Sequence, residues 1–234
     1  MAVILQVRGG LPVASLPPAG SFSTTFAGSE APISESGVWQ TADGSNFSTW
    51  TATPPFKSSG VAFGGSNASA VQDSVAFLKP SVGILPTQTV TVVCFVGGTF
   101  SAVEMEVHLR STWNATQIFS YELDFVPGSL VVGAAKWIGN NGSFFSLPYT
   151  GGTTGAIGTV VSGDVFDCKV FDLLPGTSIR LQVFKNTVLV GQWDDSLVIS
   201  GSAPYASGSI GIGGDNGGAQ TQNFGWDSLS VVSS

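Results

Sequence analysis

The run Val103-Glu-Met-Glu-Val-His-Leu-Arg110 alternates apolar and polar residues without a break, and no segment of the chain sustains the 3.6-residue period of an amphipathic helix. Period two places Val103, Met105, Val107 and Leu109 on one side of a strand, and Glu104, Glu106, His108 and Arg110 on the other. A second alternating run sets Phe119, Tyr121, Leu123 and Phe125 against Ser120, Glu122 and Asp124, and reads as the antiparallel neighbour of the first. Ser178 to Phe184 alternates as well. Lys185-Asn-Thr187 then turns the chain and Val188 to Trp193 returns as the second arm of a hairpin. Continuous apolar runs at Val90 to Val96 and Ser129 to Ile138 predict strands buried on both faces. Gly, Pro, Asn and Ser clusters separate these runs from Ser21 onward. Many short strands with no helices between them predict an all-β, two-sheet antiparallel jelly-roll sandwich.

Residues 21–234 read as one such domain, preceded by an extended N-terminal arm over residues 1–20. The arm has a β-like stretch from Val3 to Val7 among Gly9, Gly10, Pro12, Pro17, Pro18 and Gly20, with little of its own to bury. It would dock on its own domain or be captured by a neighbouring subunit.

Only 10% of the residues are charged, against roughly 25% in soluble globular chains, so Ser, Thr, Gly, Asn and Gln must cover the surface. Such a surface loses little hydration on association, which suits an assembly subunit. A net charge of −7 with eight Lys plus Arg and no basic cluster argues against nucleic acid as a partner. No stretch approaches the roughly 18 apolar residues of a membrane span, and residues 1–10 lack the pattern of a secretory signal. The Asn-x-Ser/Thr triplets at Asn46, Asn67, Asn114 and Asn141 then carry no message. Cys94 and Cys168 lie in apolar stretches without metal-ligand spacing and are expected to be buried thiols.

The order of the remaining features resembles the concanavalin A-like lectin/glucanase superfamily and its laminin-G-like relatives, over Ser21 to Val232. Phe22 to Phe26 and Gly37-Val-Trp39 are similar to the family's first strand and Trp turn. Glu104 to Arg110 with Tyr121-Glu-Leu-Asp-Phe125 resemble its central strands. Ala135-Lys-Trp-Ile-Gly139, Gly163-Asp164, Ile179 to Gln192, Asp194-Asp-Ser196, Ile210-Gly-Ile-Gly213 and Phe224-Gly-Trp226 follow in the family's order. Thr187 stands where the hairpin usually carries Gly.

The resemblance implies that Glu104, Glu106 and His108 face the concave sheet where sugars bind. The related glucanases carry Glu-x-Asp-x-(x)-Glu on this strand, and here Val107 or His108 stands where the second catalytic Glu belongs. The broken pattern predicts a protein that is not an enzyme. A lyase is disfavoured further, because Glu104, Glu106 and Glu122 would repel an anionic substrate from His108, Arg110 and Tyr121. The plainer expectation is a hydrogen-bonded charge ladder on a solvated or interface-facing sheet.

Glycan binding without catalysis has candidates in Trp113, Trp137, Asn140, Asn141 and Tyr149, although Trp39, Trp50, Trp137, Trp193 and Trp226 equally suit core packing. Weak calcium candidates are Asp194, Asp195 and Asp215. Among phage-type members of the superfamily the jelly roll is a scaffold. The leading expectation is therefore a virion structural protein: a bacteriophage capsid decoration or tail-associated subunit, made in the host cytoplasm and contacting copies of itself and other virion proteins through the arm. The alternative is a carbohydrate-binding, lectin-like module.

Overall fold

The computed structural model describes residues 20–41, 53–65, 74–98, 104–140, 143–214 and 222–234. The expected arm lies outside the described residues except for Gly20. Among those described, sixteen strands form two antiparallel sheets that face one another, as the alternation predicts.

One sheet has the order β11-β14-β13-β12-β6-β16-β4-β3, with β1 also paired to β16. These strands are Tyr149–Gly152, Val188–Ser196, Ser178–Lys185, Val165–Leu174, Gln88–Val96, Phe224–Ser233, Val61–Phe63, Phe56–Ser58 and Ser21–Thr24, in that order. The other runs β10-β9-β8-β7-β15-β5-β2: Phe144–Ser146, Val131–Gly139, Ile118–Val126, Met105–Trp113, Ser209–Gly214, Ser74–Leu78 and Trp39–Thr41. Among the described residues, helix is confined to α1, Leu197–Ser200, and a 3₁₀ turn at Pro80–Val82. No helix among the described residues is long and apolar enough to cross a membrane.

The alternating runs supply the core between the sheets. Met105, Val107 and Leu109 from β7, Tyr121, Leu123 and Phe125 from β8, and Ile179, Leu181 and Val183 from β13 belong to one buried cluster. The two continuous apolar runs depart from expectation. Val90, Val92 and Cys94 of β6 are buried while Thr91, Val93 and Phe95, which alternate to the face away from the core, are only half-buried. Ser129 and Leu130 form a turn before β9, and burial on both faces is confined to Ala134 to Trp137.

The β13–β14 hairpin closes tightly without the usual glycine. Lys185 pairs Val188, and Asn186 and Thr187 take φ of 48° and 74°. Asn186 offsets the strain by accepting from the Val165 N–H at 2.9 Å and donating to Asp164 at 2.8 Å.

Cys94 and Cys168 are buried free thiols. Cys168 lies opposite Val90 in the β12–β6 ladder, four residues from Cys94. At ~3.4 Å per residue this separation is far beyond the ~7 Å limit for a disulfide. Burial pushes the Cys94 thiol up to about 12 and raises that of Cys168. Neither thiol should react with Ellman's reagent in the native protein, and both should titrate on unfolding. Rapid native labelling would contradict this placement.

Near the start of the domain, Glu30 fastens the loop before β2. Burial opposes its charge, but the Ser34 hydroxyl, the Glu35 and Ser34 N–H groups and Lys57 outweigh it, holding the carboxyl at about 2. A depressed carboxyl contributes stability above its unfolded value near 4.5, and that contribution is lost as pH falls toward 2. Glu30→Gln is expected to flatten the acid limb of a melting-temperature profile below pH 4.5; identical slopes for variant and wild type would exclude this role.

Candidate functional site

On β7, β8 and β9, the side chains that do not enter the core converge on the outer face of the seven-stranded sheet. The ladders set Glu106 opposite Asp124, His108 opposite Glu122, Glu122 opposite Ala135 and Ser120 opposite Trp137. Gly213 of β15 lies opposite Glu106, where a Cβ would come within 2.2 Å of Glu106 Oε2. Glycine at this point leaves the carboxylate room to stand on the sheet. Val75, Phe77, Ile118 and Trp137 form a second buried apolar cluster beside it, with Trp113 against them.

The polar face is hydrogen-bonded, as the ladder reading expects, but it is not solvated. Glu106 and His108 are 0% and 1% exposed, and Glu122 is 6% exposed. His108 Nε2 lies 2.8 Å from Glu106 Oε2 and its Nδ1 3.0 Å from Ser120 Oγ. Ser120 Oγ is in turn 2.9 Å from Ser111 Oγ. Trp137 Nε1 donates to Glu122 Oε2. Burial holds His108 neutral, lowering it to about 3. Burial also raises Asp124 to about 6, opposed by a hydrogen bond with Glu104. One donor atom from each of Glu106, His108 and Glu122 lies within 4.8 Å of the others.

Arg110 leaves the alternation. Its φ of 49° marks the bulge where the β7–β8 register shifts. The guanidinium is buried, donating to Pro86 O at 2.9 Å and to Asp172 and Tyr205 O at 2.8 Å.

The candidate sugar contacts do not form one group. Trp137 is 2% exposed and serves as a donor to Glu122 rather than as a platform. Trp113 stacks on Phe77 at 4.7 Å and lines a cleft of about 410 Å³ with Pro80, Ile84 and Ser111. Asn140 is exposed, and Asn141 lies outside the described residues.

Tyr149 sits at the other end of the face, where the chain crosses from β10 in one sheet to β11 in the other. Its hydroxyl donates to Val132 O at 2.8 Å and its ring lies 5.1 Å from Trp193. With Phe144, Ser146, Glu122 and Asp124 it lines a groove of about 220 Å³ over Gly133. Phe144 and Tyr149 are 52% and 41% exposed. The alternation of β8 signals Glu122 and Asp124. Phe144 has no sequence signal beyond its place in a short run after Asn140-Asn-Gly.

Of the calcium candidates, Asp194 and Asp195 do not converge. Successive residues of β14 point to opposite faces, so Asp194 meets Arg180 at 2.7 and 2.9 Å while Asp195 turns inward to Lys136 at 2.9 Å. Asp215 lies outside the described residues.

A scan against protein-family models and a search of curated proteins each return no match to this chain. Among solved structures, the chain is similar to a legume lectin-like domain from Entamoeba histolytica, with 12% identity, 94% of this chain and 100% of that one covered, and a TM-score of 0.51. A structure described with endo-acting O-glycanases of the human gut microbiota shares 12% identity over 91% of this chain and 98% of its own, at 0.50. A Bacillus licheniformis GH43 protein, BlXynB, shares 13% identity at 0.50, and the chain spans 42% of its length. At such identities these likenesses establish the fold alone, and that fold is the concanavalin A-like jelly roll. None of the three is described as a virion protein.

Proposed function

From the concanavalin A-like jelly roll and the groove on its seven-stranded sheet, we propose that this protein is a lectin-like, carbohydrate-binding domain without catalytic activity. The observation that carries this reading is that two exposed aromatic rings, Phe144 and Tyr149, flank the carboxylates of Glu122 and Asp124 in one groove. Aromatic rings stack on the apolar faces of sugars, and carboxylates accept hydrogen bonds from their hydroxyls. The negative groove selects neutral or cationic glycans over uronates or sialic acids. The lectin and glycan-processing proteins that share the fold fit this reading better than an assembly role. Glu106 is too deeply buried to reach a glycosidic bond, which argues against hydrolysis.

A glycan array, followed by calorimetry on the best neutral ligand, tests the proposal. Phe144→Ala and Tyr149→Ala should each weaken binding about tenfold, the loss of roughly 1–2 kcal/mol of stacking. An array silent toward neutral glycans, or affinity unchanged in both variants, would overturn it. The low surface charge favours a second reading, a virion subunit associating with copies of itself. Light scattering beside the array separates the two: a multimer that ignores every sugar supports the second.

A further inference from the structure

We propose that the groove over Gly133 selects a basic amino sugar, a hexosamine whose free ammonium sits beside Asp124. This rests on the sugar-binding reading above and narrows it to one class of ligand. Asp124 lines the groove, and Gly133 stands directly opposite it on β9. A Cβ at Gly133 would lie 3.6 Å from Asp124 Oδ2, so glycine leaves that side of the carboxylate open.

Asp124 has no counter-charge among the described residues. Glu106 and Glu122 are engaged by His108 and Trp137, and Asp124 itself has a hydrogen bond with Glu104. Its Oδ1, shut off from water, has no hydrogen-bond partner among the described residues, and none of their Lys or Arg side chains forms an ion pair with it. The ionisable groups that face it are Glu104 just before β7, Glu106 on β7, Glu122 on its own strand and Tyr149 from β11, and none of them is a cation. A charge compensated neither by water nor by protein extends its field into the groove and favours a cation there. Trp193 is fully buried and lines the same groove, and its Nε1 likewise has no partner among the described residues. Unpartnered buried polar groups are exceptional in folded proteins, and here an acceptor and a donor of that kind border one groove.

The aromatic rings narrow the cation to a sugar. Phe144 and Tyr149, 52% and 41% exposed, attract an ammonium with their faces and stack on the flat C–H face of a pyranose. A lysine side chain brings the charge without that face. N-acetylation of a hexosamine removes the charge, and a uronate reverses it.

The test is calorimetry on the full chain with chitosan and chitin oligomers of equal length, the first carrying free amines and the second acetylated ones. The free-amine oligomer should bind about tenfold more tightly. Asp124→Asn, its folding checked by circular dichroism, should erase that preference. Burial raises the Asp124 carboxyl to about 6, so the preference of the wild type should also fade as pH falls through that value, where Asp124 takes up its proton while the ligand amine keeps its own. This second readout stands even if the variant does not fold. Equal affinity for the two oligomers would overturn the amino-sugar proposal and leave the sugar reading intact, whereas no binding of either would overturn both. A preference that persists in folded Asp124→Asn, or that ignores pH, would also overturn it. So would an oligolysine that competes as well as the chitosan oligomer.

Discussion

Asp195→Asn lowers the stability of this domain by about 3–5 kcal/mol, a fall of roughly 10 °C in melting temperature for a chain of this size. Asp195 and Lys136 are both 0% exposed and meet at 2.9 Å between the two sheets. Tyr121 donates to the same carboxylate at 2.6 Å. The ammonium also donates to Ser200 Oγ at 2.9 Å, Ser202 O at 3.0 Å and Ala203 O at 2.9 Å. Asparagine would leave that buried ammonium without its counter-charge, and removing one partner of a buried pair costs far more than removing both. The double variant Lys136→Met/Asp195→Leu should therefore be less destabilised than the sum of its singles. Strict additivity in urea melts would falsify the account of the pair as one buried unit.

The second large effect is expected at Trp226. Its indole lies 5.3 Å from Phe125 across the sandwich, 5.5 Å from Phe224 on its own strand and 6.4 Å from Phe166. Phe125 belongs to the seven-stranded sheet and the other three to the nine-stranded one, so the cluster joins the layers. Trp226→Ala should cost about 3–5 kcal/mol through lost burial and the cavity left behind. Trp226→Phe should cost much less. It keeps an aromatic in the cluster and removes an indole N–H that makes no hydrogen bond among the described residues. Equal losses for Ala and Phe in chemical denaturation would mean that ring size, not aromatic burial, controls the site.

Side-chain alternation made much of the architecture legible. The runs of β7, β8 and β13 display their apolar halves in the core, and the hairpin at Lys185–Val188 closes where the turn residues are. Period two states which face a residue occupies but not what covers that face. Glu106 and His108 are therefore correctly sided in the sequence while their burial is not legible. Arg110 escapes the pattern because a bulge shifts the register at that point. The groove at Tyr149 depends on where the chain crosses from one sheet to the other, a long-range property that no local run encodes. Asp194 and Asp195 look like paired ligands in one dimension, yet strand geometry sends them to opposite faces.

The pairing of β1 with β16, Ser21 against Val232 and Thr24 against Leu229, bears on how the protein is made. During synthesis β1 emerges long before β16, so its hydrogen-bond partner does not yet exist. The hairpin β13–β14 can form as soon as it emerges, whereas β1 stays unpaired until β16 has followed it. Folding is then paced by a search across all the sequence between β1 and β16, which favours slow maturation and a demand for chaperone protection of β1 meanwhile.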